Sequence, residues 1–230
     1  MKPRGDCKMT DFHSHVIPWL DHGSDGIQTS LWQISQAGDA GISRIAATSH
    51  FYANMTDVKA FLLKREECLS RLIAAMPKDA PEIIAGAEVL LFENLHEMPG
   101  IESLCIGKTN VILAELPFSS VDESIAETVS GMISRGLFVI LAHADRYDAD
   151  IIGACLDAGA KIQLNADGIL SHKTRKQCMK WIDEGVVYAI GSDIHGRGKN
   201  YAYFKKAIKI LGEKADDIFA KTDSLLSKTI

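Results

Sequence analysis

The chain contains no apolar run near the ~18 residues that a membrane-spanning helix needs. It has no excess of positive charge. Twenty-five Lys and Arg stand against 30 Asp and Glu, for a formal charge of −5, which excludes a protein that grips nucleic acid through a broad basic face. Cysteines are few and scattered, at 7, 68, 105, 155 and 178, with no Cys-x-x-Cys pair. Neither a disulfide frame nor a thiolate zinc site fits that spacing, and free thiols point to a reducing, cytoplasmic compartment. Linkers, low-complexity stretches and internal repeats are absent as well. Residues 1–10 are charged and lack an apolar centre, so residues 1–9 are expected to form a flexible extension rather than a signal peptide.

What is present is a globular composition, 47% hydrophobic and 24% charged over 230 residues, expected to fold as one domain over 1–230. Short runs rich in Val, Ile and Ala recur at 10–14, 43–48, 82–90, 110–116, 137–142, 161–165 and 186–191. Segments of helical period separate them. The clearest is 56–76, where Val58, Phe61, Leu62, Leu69, Leu72, Ile73 and Met76 form an apolar stripe. Thr56 and Asp57 mark its start and Pro77 lies past its end. Segments 122–136 and 171–184 each run up to a glycine, Gly136 and Gly185, suited to a left-handed cap. Helical stretches at 200–211 and 213–227 close the chain. Seven strands alternating with helices predict parallel pairing through right-handed crossovers. No glycine-rich turn follows the first strand, so a dinucleotide-binding sheet is disfavoured. A distorted seven-stranded (β/α)7 barrel of the TIM type is expected instead, because its active site collects residues from the carboxyl ends of several strands.

The strand ends carry such residues. They read Asp11-Phe12-His13-Ser14-His15, Thr48-Ser49-His50, Gly86-Ala87-Glu88, Ala114-Glu115-Leu116-Pro117, Ala142-His143-Ala144-Asp145-Arg146, Gln163-Leu164-Asn165 and Gly191-Ser192-Asp193-Ile194-His195. Side chains two apart on a strand share a face, so His13 points with His15 and Asp193 with His195. One His-x-His alone says little, since a buried histidine is more often hydrogen-bonded core. Several imidazoles and carboxylates meeting at one barrel mouth with no cation among them would be very costly to desolvate. A thiolate-free His/Asp/Glu set suits Mn, Fe or Zn. His96 and His172 fall away from the strand ends and are read as solvated. Phe51, Tyr52, Trp19 and Phe118 follow these positions and could wall an aromatic ring.

In this order, the motifs of residues 11–195 resemble the PHP (polymerase and histidinol phosphatase) family. The branch they match is the bacterial tyrosine-protein phosphatases of capsule and exopolysaccharide operons. The resemblance implies three divalent ions. The first is held by His13, His15, Glu88 and Asp193. The second is held by Glu88 as a bridge, with Glu115 and His143. The third is held by His50, His195 and the residue seven after His15. That residue is usually Asp in the family; here it is His22, with Asp21 and Asp25 as the possible substitutes. A neutral imidazole there leaves the centre one charge unit more positive and makes the third site softer. The implied chemistry is phosphomonoester hydrolysis, in which a metal-activated hydroxide attacks phosphorus. Glu88, His195 and Arg146 are the implied catalytic residues, and Arg146, with Arg197, would grip phosphate oxygens. No cysteine has an arginine six positions on, so the thiol-based Cys-x5-Arg route is excluded. The expected substrate is a phosphotyrosine protein, such as a bacterial tyrosine kinase. A small-molecule phosphatase, acting for instance on histidinol phosphate, and a non-catalytic metal-binding regulatory module remain as alternatives.

Overall fold

A computed structural model describes residues 7–117 and 123–228. Every apolar run forms strand, and all the ladders are parallel. One ladder joins β1 (Thr10–Ser14), β2 (Arg44–Ala47) and β4 (Glu82–Ala85). The other runs β3 (His50–Phe51), β5 (Glu88–Leu90), β6 (Val111–Glu115), β7 (Phe138–Leu141), β8 (Lys161–Asn165) and β9 (Val187–Gly191). The second predicted run, 43–48, forms β2 alone, with β3 following past its end, and the third, 82–90, is broken into β4 and β5. Each junction is a bend within one stave. Across the two bends the Gly86 amide donates to the Ala47 carbonyl at 2.9 Å and the Glu88 amide to the Ser49 carbonyl at 3.1 Å. At the other seam, the Asp193 amide donates to the His13 carbonyl at 2.8 Å and the His15 amide to the Ile194 carbonyl at 3.3 Å. Seven staves therefore close into the expected barrel. A closed sheet has to tilt and curve its strands, a demand that hydropathy does not record.

Alternation along the staves separates two apolar layers. Phe12, Ala46, Val111, Leu113, Ile140, Ala142 and Ala189 fill the barrel, and Leu225 joins them. Ile45, Ile112, Ala114, Val139, Leu141, Ile162 and Ile190 belong to the larger cluster that packs on the helices. Those helices are α1 (Ile27–Asp39), α2 (Val58–Ala75), α3 (Glu123–Ser134), α4 (Ala149–Asp157), α5 (Ala166–Leu170), α6 (Arg175–Asp183), α7 (Asn200–Leu211) and α8 (Glu213–Leu226). Asp57 caps α2, its carboxylate accepting from the Ala60 amide at 2.9 Å. Phe61, Cys68 and Leu72 form the buried face of α2, and burying a side chain the size of Phe61 or Leu72 contributes about 1.5–3 kcal/mol. Ile73, expected in that stripe, is 53% exposed; Cys68 takes its place because the buried arc is narrower than the apolar one. The caps at Gly136 and Gly185 have the left-handed φ expected of them, +87° and +75°. No helix among the described residues is long and apolar enough to cross a membrane.

One irregularity matters for the site. The β1–β2 register shifts between Asp11 and Ser14. Strict alternation would put Asp11 on the face of His13. The bulge removes it from that face, as bulges do when they re-aim a side chain. Asp11 is fully buried and accepts from the Ser192 amide at 2.8 Å, the Ser192 hydroxyl at 2.6 Å and the Tyr201 hydroxyl at 2.8 Å. Burial raises its carboxyl to about 6 against these bonds. At the start of the chain, residues 1–6 of the expected extension lie outside the described residues. Met9 is buried, and its carbonyl accepts from the Ser43 amide at 2.9 Å. That residue belongs to the fold.

Candidate metal centre

At the carboxyl ends of the staves the structure gathers His13, His15, His50, Glu88, Glu115, His143, Asp193 and His195. Glu88 is at the middle and fully buried. Its Oε2 lies 3.1 Å from His13 Nε2, 3.2 Å from His15 Nε2 and 2.9 Å from His50 Nδ1. Its Oε1 lies 2.9 Å from His143 Nε2, and Glu115 Oε1 is 3.5 Å from the same nitrogen. Asp193 Oδ1 is 3.6 Å from His13 Nε2 and 3.4 Å from His15 Nε2. Among the described residues, three sets of ligand atoms are compact enough to hold an ion: His13, His15 and Glu88; His50, Glu88 and Glu115; and His15, His50 and His195.

The imidazoles are aimed by partners behind them. Gln163 Oε1 accepts from the His143 amide at 2.7 Å and sits 3.0 Å from His13 Nδ1. An oxygen can only accept, so Nδ1 of His13 carries the proton and Nε2 offers its lone pair to the centre. Asp21 Oδ2 lies 2.8 Å from His15 Nδ1 and accepts from the His50 amide at 3.0 Å, while Oδ1 accepts from the Gly23 amide at 2.8 Å. Burial pushes the Asp21 carboxyl up, but His15 outweighs it and holds the group well below the usual range. His195 Nδ1 faces the Asp193 carbonyl at 3.2 Å, which leaves its Nε2 free. Burial, with His15 beside it, lowers His195 to about 4, so this imidazole is neutral at neutral pH.

Whether a cation fits can be judged from the buried atoms. Glu88 Oε2, His50 Nδ1 and His195 Nε2 are buried without a hydrogen bond. Glu88 Oε2 has three ring nitrogens within 3.2 Å, yet none is angled to donate to it. Buried polar atoms are normally satisfied. Lone pairs that crowd a common point instead of pairing are the arrangement a divalent ion requires, and oxygen plus imidazole nitrogen is a suitable donor set for Mn, Fe or Zn.

Two of these residues adopt left-handed backbone, His143 at φ +32° and Asp193 at φ +50°. Non-glycine residues held there are strained and gather at functional sites. Arg146, one turn past His143, pairs with Asp193 Oδ2, which also accepts from Asn165 Nδ2 at 3.1 Å. That pairing occupies the outer oxygen of Asp193 and leaves Oδ1 toward the imidazoles. Arg197 is exposed and makes no hydrogen bond or ion pair among the described residues. His22 is exposed at the rim, its ring stacked on His50 and His195 with centroids 4.8 and 4.6 Å away. It is not in any of the three compact sets. Asp21 is occupied on His15 and His50, and Asp25 is exposed. Of the aromatic residues, Phe51 is buried edge-on against Phe61, Tyr52 stacks on His50, Trp19 is 44% exposed, and Phe118 lies outside the described residues. His172 is exposed as expected. His96 is not solvated: it is half-buried, its ring so close to Gly131 that an added Cβ there would lie 2.5 Å away.

A model of the family described as capsular polysaccharide synthesis, CpsB/CapC, matches residues 9–226. The chain belongs to this family. Similar members include the tyrosine-protein phosphatase CpsB of Streptococcus agalactiae, 21% identical over 96% of this chain and 98% of that one. Another is the tyrosine-protein phosphatase YwqE of Bacillus subtilis, 22% identical over 88% and 84%. A crystal structure from the pair YwqE of B. subtilis and CpsB of Streptococcus pneumoniae, described as metal-dependent tyrosine phosphatases, superimposes with a TM-score of 0.83. It is 18% identical and 96% of each chain is covered. A DAHP synthase from Thermotoga maritima shares the barrel more distantly, with a TM-score of 0.51 at 10% identity over 94% and 71%. The CpsB/CapC members are thus phosphatases of the branch that the ordered motifs resemble.

Proposed function

We propose that this chain is a metal-dependent protein-tyrosine phosphatase acting on a phosphorylated tyrosine kinase of polysaccharide synthesis, with three divalent ions of Mn, Fe or Zn. The observation that carries the reading is Glu88 Oε2, buried among three ring nitrogens at 2.9–3.2 Å with no hydrogen bond. His13, His15, Glu88 and Asp193 would hold one ion, Glu88, Glu115 and His143 the second, and His50, His195 and His22 the third. Bound there, the ions would acidify a coordinated water toward neutral pH and offset charge on the phosphoryl oxygens. The chain's own part is orientation. Gln163 and Asp21 fix the tautomers of His13 and His15, and neutral His195 keeps its lone pair available. Arg146 presents a half-exposed guanidinium to the mouth, where its fork suits two phosphate oxygens. Arg197 is an outer contact for the substrate. Five free cysteines, four of them buried, fit a cytoplasmic enzyme that does not use a thiol.

Chelation is expected to abolish phosphotyrosine hydrolysis, and added Mn, Fe or Zn to restore it, while mild thiol alkylation leaves the rate unchanged. Full activity after exhaustive metal removal would refute the reading, as would loss on alkylation.

His22 supplies a second test. His22→Ala should lose one ion per chain and keep two, because the ligands of the two buried sites are untouched. His22→Asp should keep three ions, bind product phosphate more weakly by one unit of site charge, and shift preference from Zn toward Mn, since a carboxylate is the harder donor. Unaltered metal stoichiometry and phosphate inhibition in both variants would remove His22 from the centre.

A further inference from the structure

Beside the third imidazole set, the surface opens into a cavity of ≈ 360 Å³. His22 and His50 form its inner wall, and Leu20, Tyr52, Met55 and Phe61 line it further out. Lys64, on α2, is among its lining residues and is exposed. The geometry points to this cavity as the subsite for the aryl group of the phosphoester. The inference rests on the phosphatase reading above and adds what that reading leaves open, the means by which an aromatic ester is preferred to an alkyl one.

Three observations support it. First, the cavity adjoins the centre, because His50 belongs to both and His22 stacks on His50. A group bonded through one ester oxygen to a phosphoryl held at the ions has this wall beside it. Second, Arg146 follows β7, whereas the cavity lies between the segments that follow β1 and β3. The guanidinium and the cavity therefore approach the mouth from different sides, so phosphate oxygens can face one while the leaving group faces the other. Third, the lining suits a flat apolar ring. Tyr52 lies nearly parallel to the His50 ring, at 18° with centroids 5.2 Å apart, and offset aromatic stacking with thioether contact is favourable to a phenyl group.

The lining also explains why the site would discriminate. Met55 is 77% exposed, so its thioether is free to contact a ring held in the cavity. An alkyl phosphate such as phosphoserine carries no ring to stack on Tyr52 or to contact Met55. It would gain nothing from the cavity.

The test uses the metal-loaded full chain and two inert probes, phenylphosphonate and methylphosphonate, as competitive inhibitors of phosphotyrosine hydrolysis. Phenylphosphonate is expected to bind the parent about tenfold more tightly, a ratio that corresponds to roughly 1.4 kcal/mol. Tyr52→Ala and Met55→Ala should each reduce that ratio, and Ala60→Phe, which fills the cavity from an exposed helix position, should bring it near one. In all three, KM for phosphotyrosine should rise more than kcat falls, with metal content unchanged. A ratio near one in the parent would overturn the subsite, as would a ratio that survives Ala60→Phe. Failure of the metal-loaded protein to hydrolyse any phosphomonoester would instead count against the phosphatase reading, so the two failures are distinct.

Discussion

Replacing Glu88 with alanine is expected to empty more than one ion site and to cost more activity than any other single carboxylate change. Its two oxygens face different partners, Oε2 toward His13, His15 and His50, and Oε1 toward His143. No other carboxylate in the centre touches as many ligands. Burial works against the charged form of Glu88, yet the surrounding imidazoles, His13 foremost, outweigh it and hold its carboxyl well below the usual range. The charged form favoured in this way is the one that can bridge two cations. Removing one charge-stabilising donor from an active site costs roughly 10²–10³-fold in rate, and a bridging ligand should cost more than that. Metal analysis of Glu88→Ala beside kcat/KM on a phosphotyrosine peptide checks this. Unchanged metal stoichiometry would take Glu88 out of the centre.

The second large effect is expected at Arg146, and it should have the opposite signature. Arg146→Ala should lower kcat/KM by roughly 10²–10³-fold while leaving metal content intact, as loss of a group that stabilises developing charge does. Arg146→Lys should recover only part of the loss, because an ammonium is a point charge without the fork that meets two oxygens. The pairing with Asp193 makes the distinction worth measuring. If the guanidinium served only to hold Asp193, ion loss would track the loss of rate, and lysine would rescue both.

Much of this was legible in the sequence because a parallel barrel writes its site into strand ends. His13, Glu88, Glu115, His143 and Asp193 could be found by asking what stands where each apolar run stops. The bends between β2 and β3 and between β4 and β5 could not, since they come from curving seven staves into a closed sheet. Nor could the β1 bulge, which separates Asp11 from His13 although both lie at odd positions of one strand. The orienting residues were half visible. Gln163 and Asn165 stood at a strand end, but nothing in their type said that one would fix the tautomer of His13. Asp21 looked like a spare ligand and is instead the partner of His15, a role set by distance in space. Ile73 and His96 failed for the same reason in reverse: a neighbour, not the residue's own polarity, decided their burial.

The seam between β9 and β1 has a consequence for how the molecule is made. His13 and His15 are near the beginning of the chain, whereas Asp193 and His195 follow its last strand. Meeting across some 180 residues carries the entropy of a long loop, which grows with the logarithm of its length. The centre is therefore completed only when the last stave is made. A ribosome-bound chain lacking residues 191–195 has neither Asp193 nor His195 and presents an open sheet edge where Asp193 would later bond to His13. Ions that bind only the closed form add their binding free energy to closure itself. Metal supply would thus act on this protein as a clasp fastened after translation, drawing the first and last staves together.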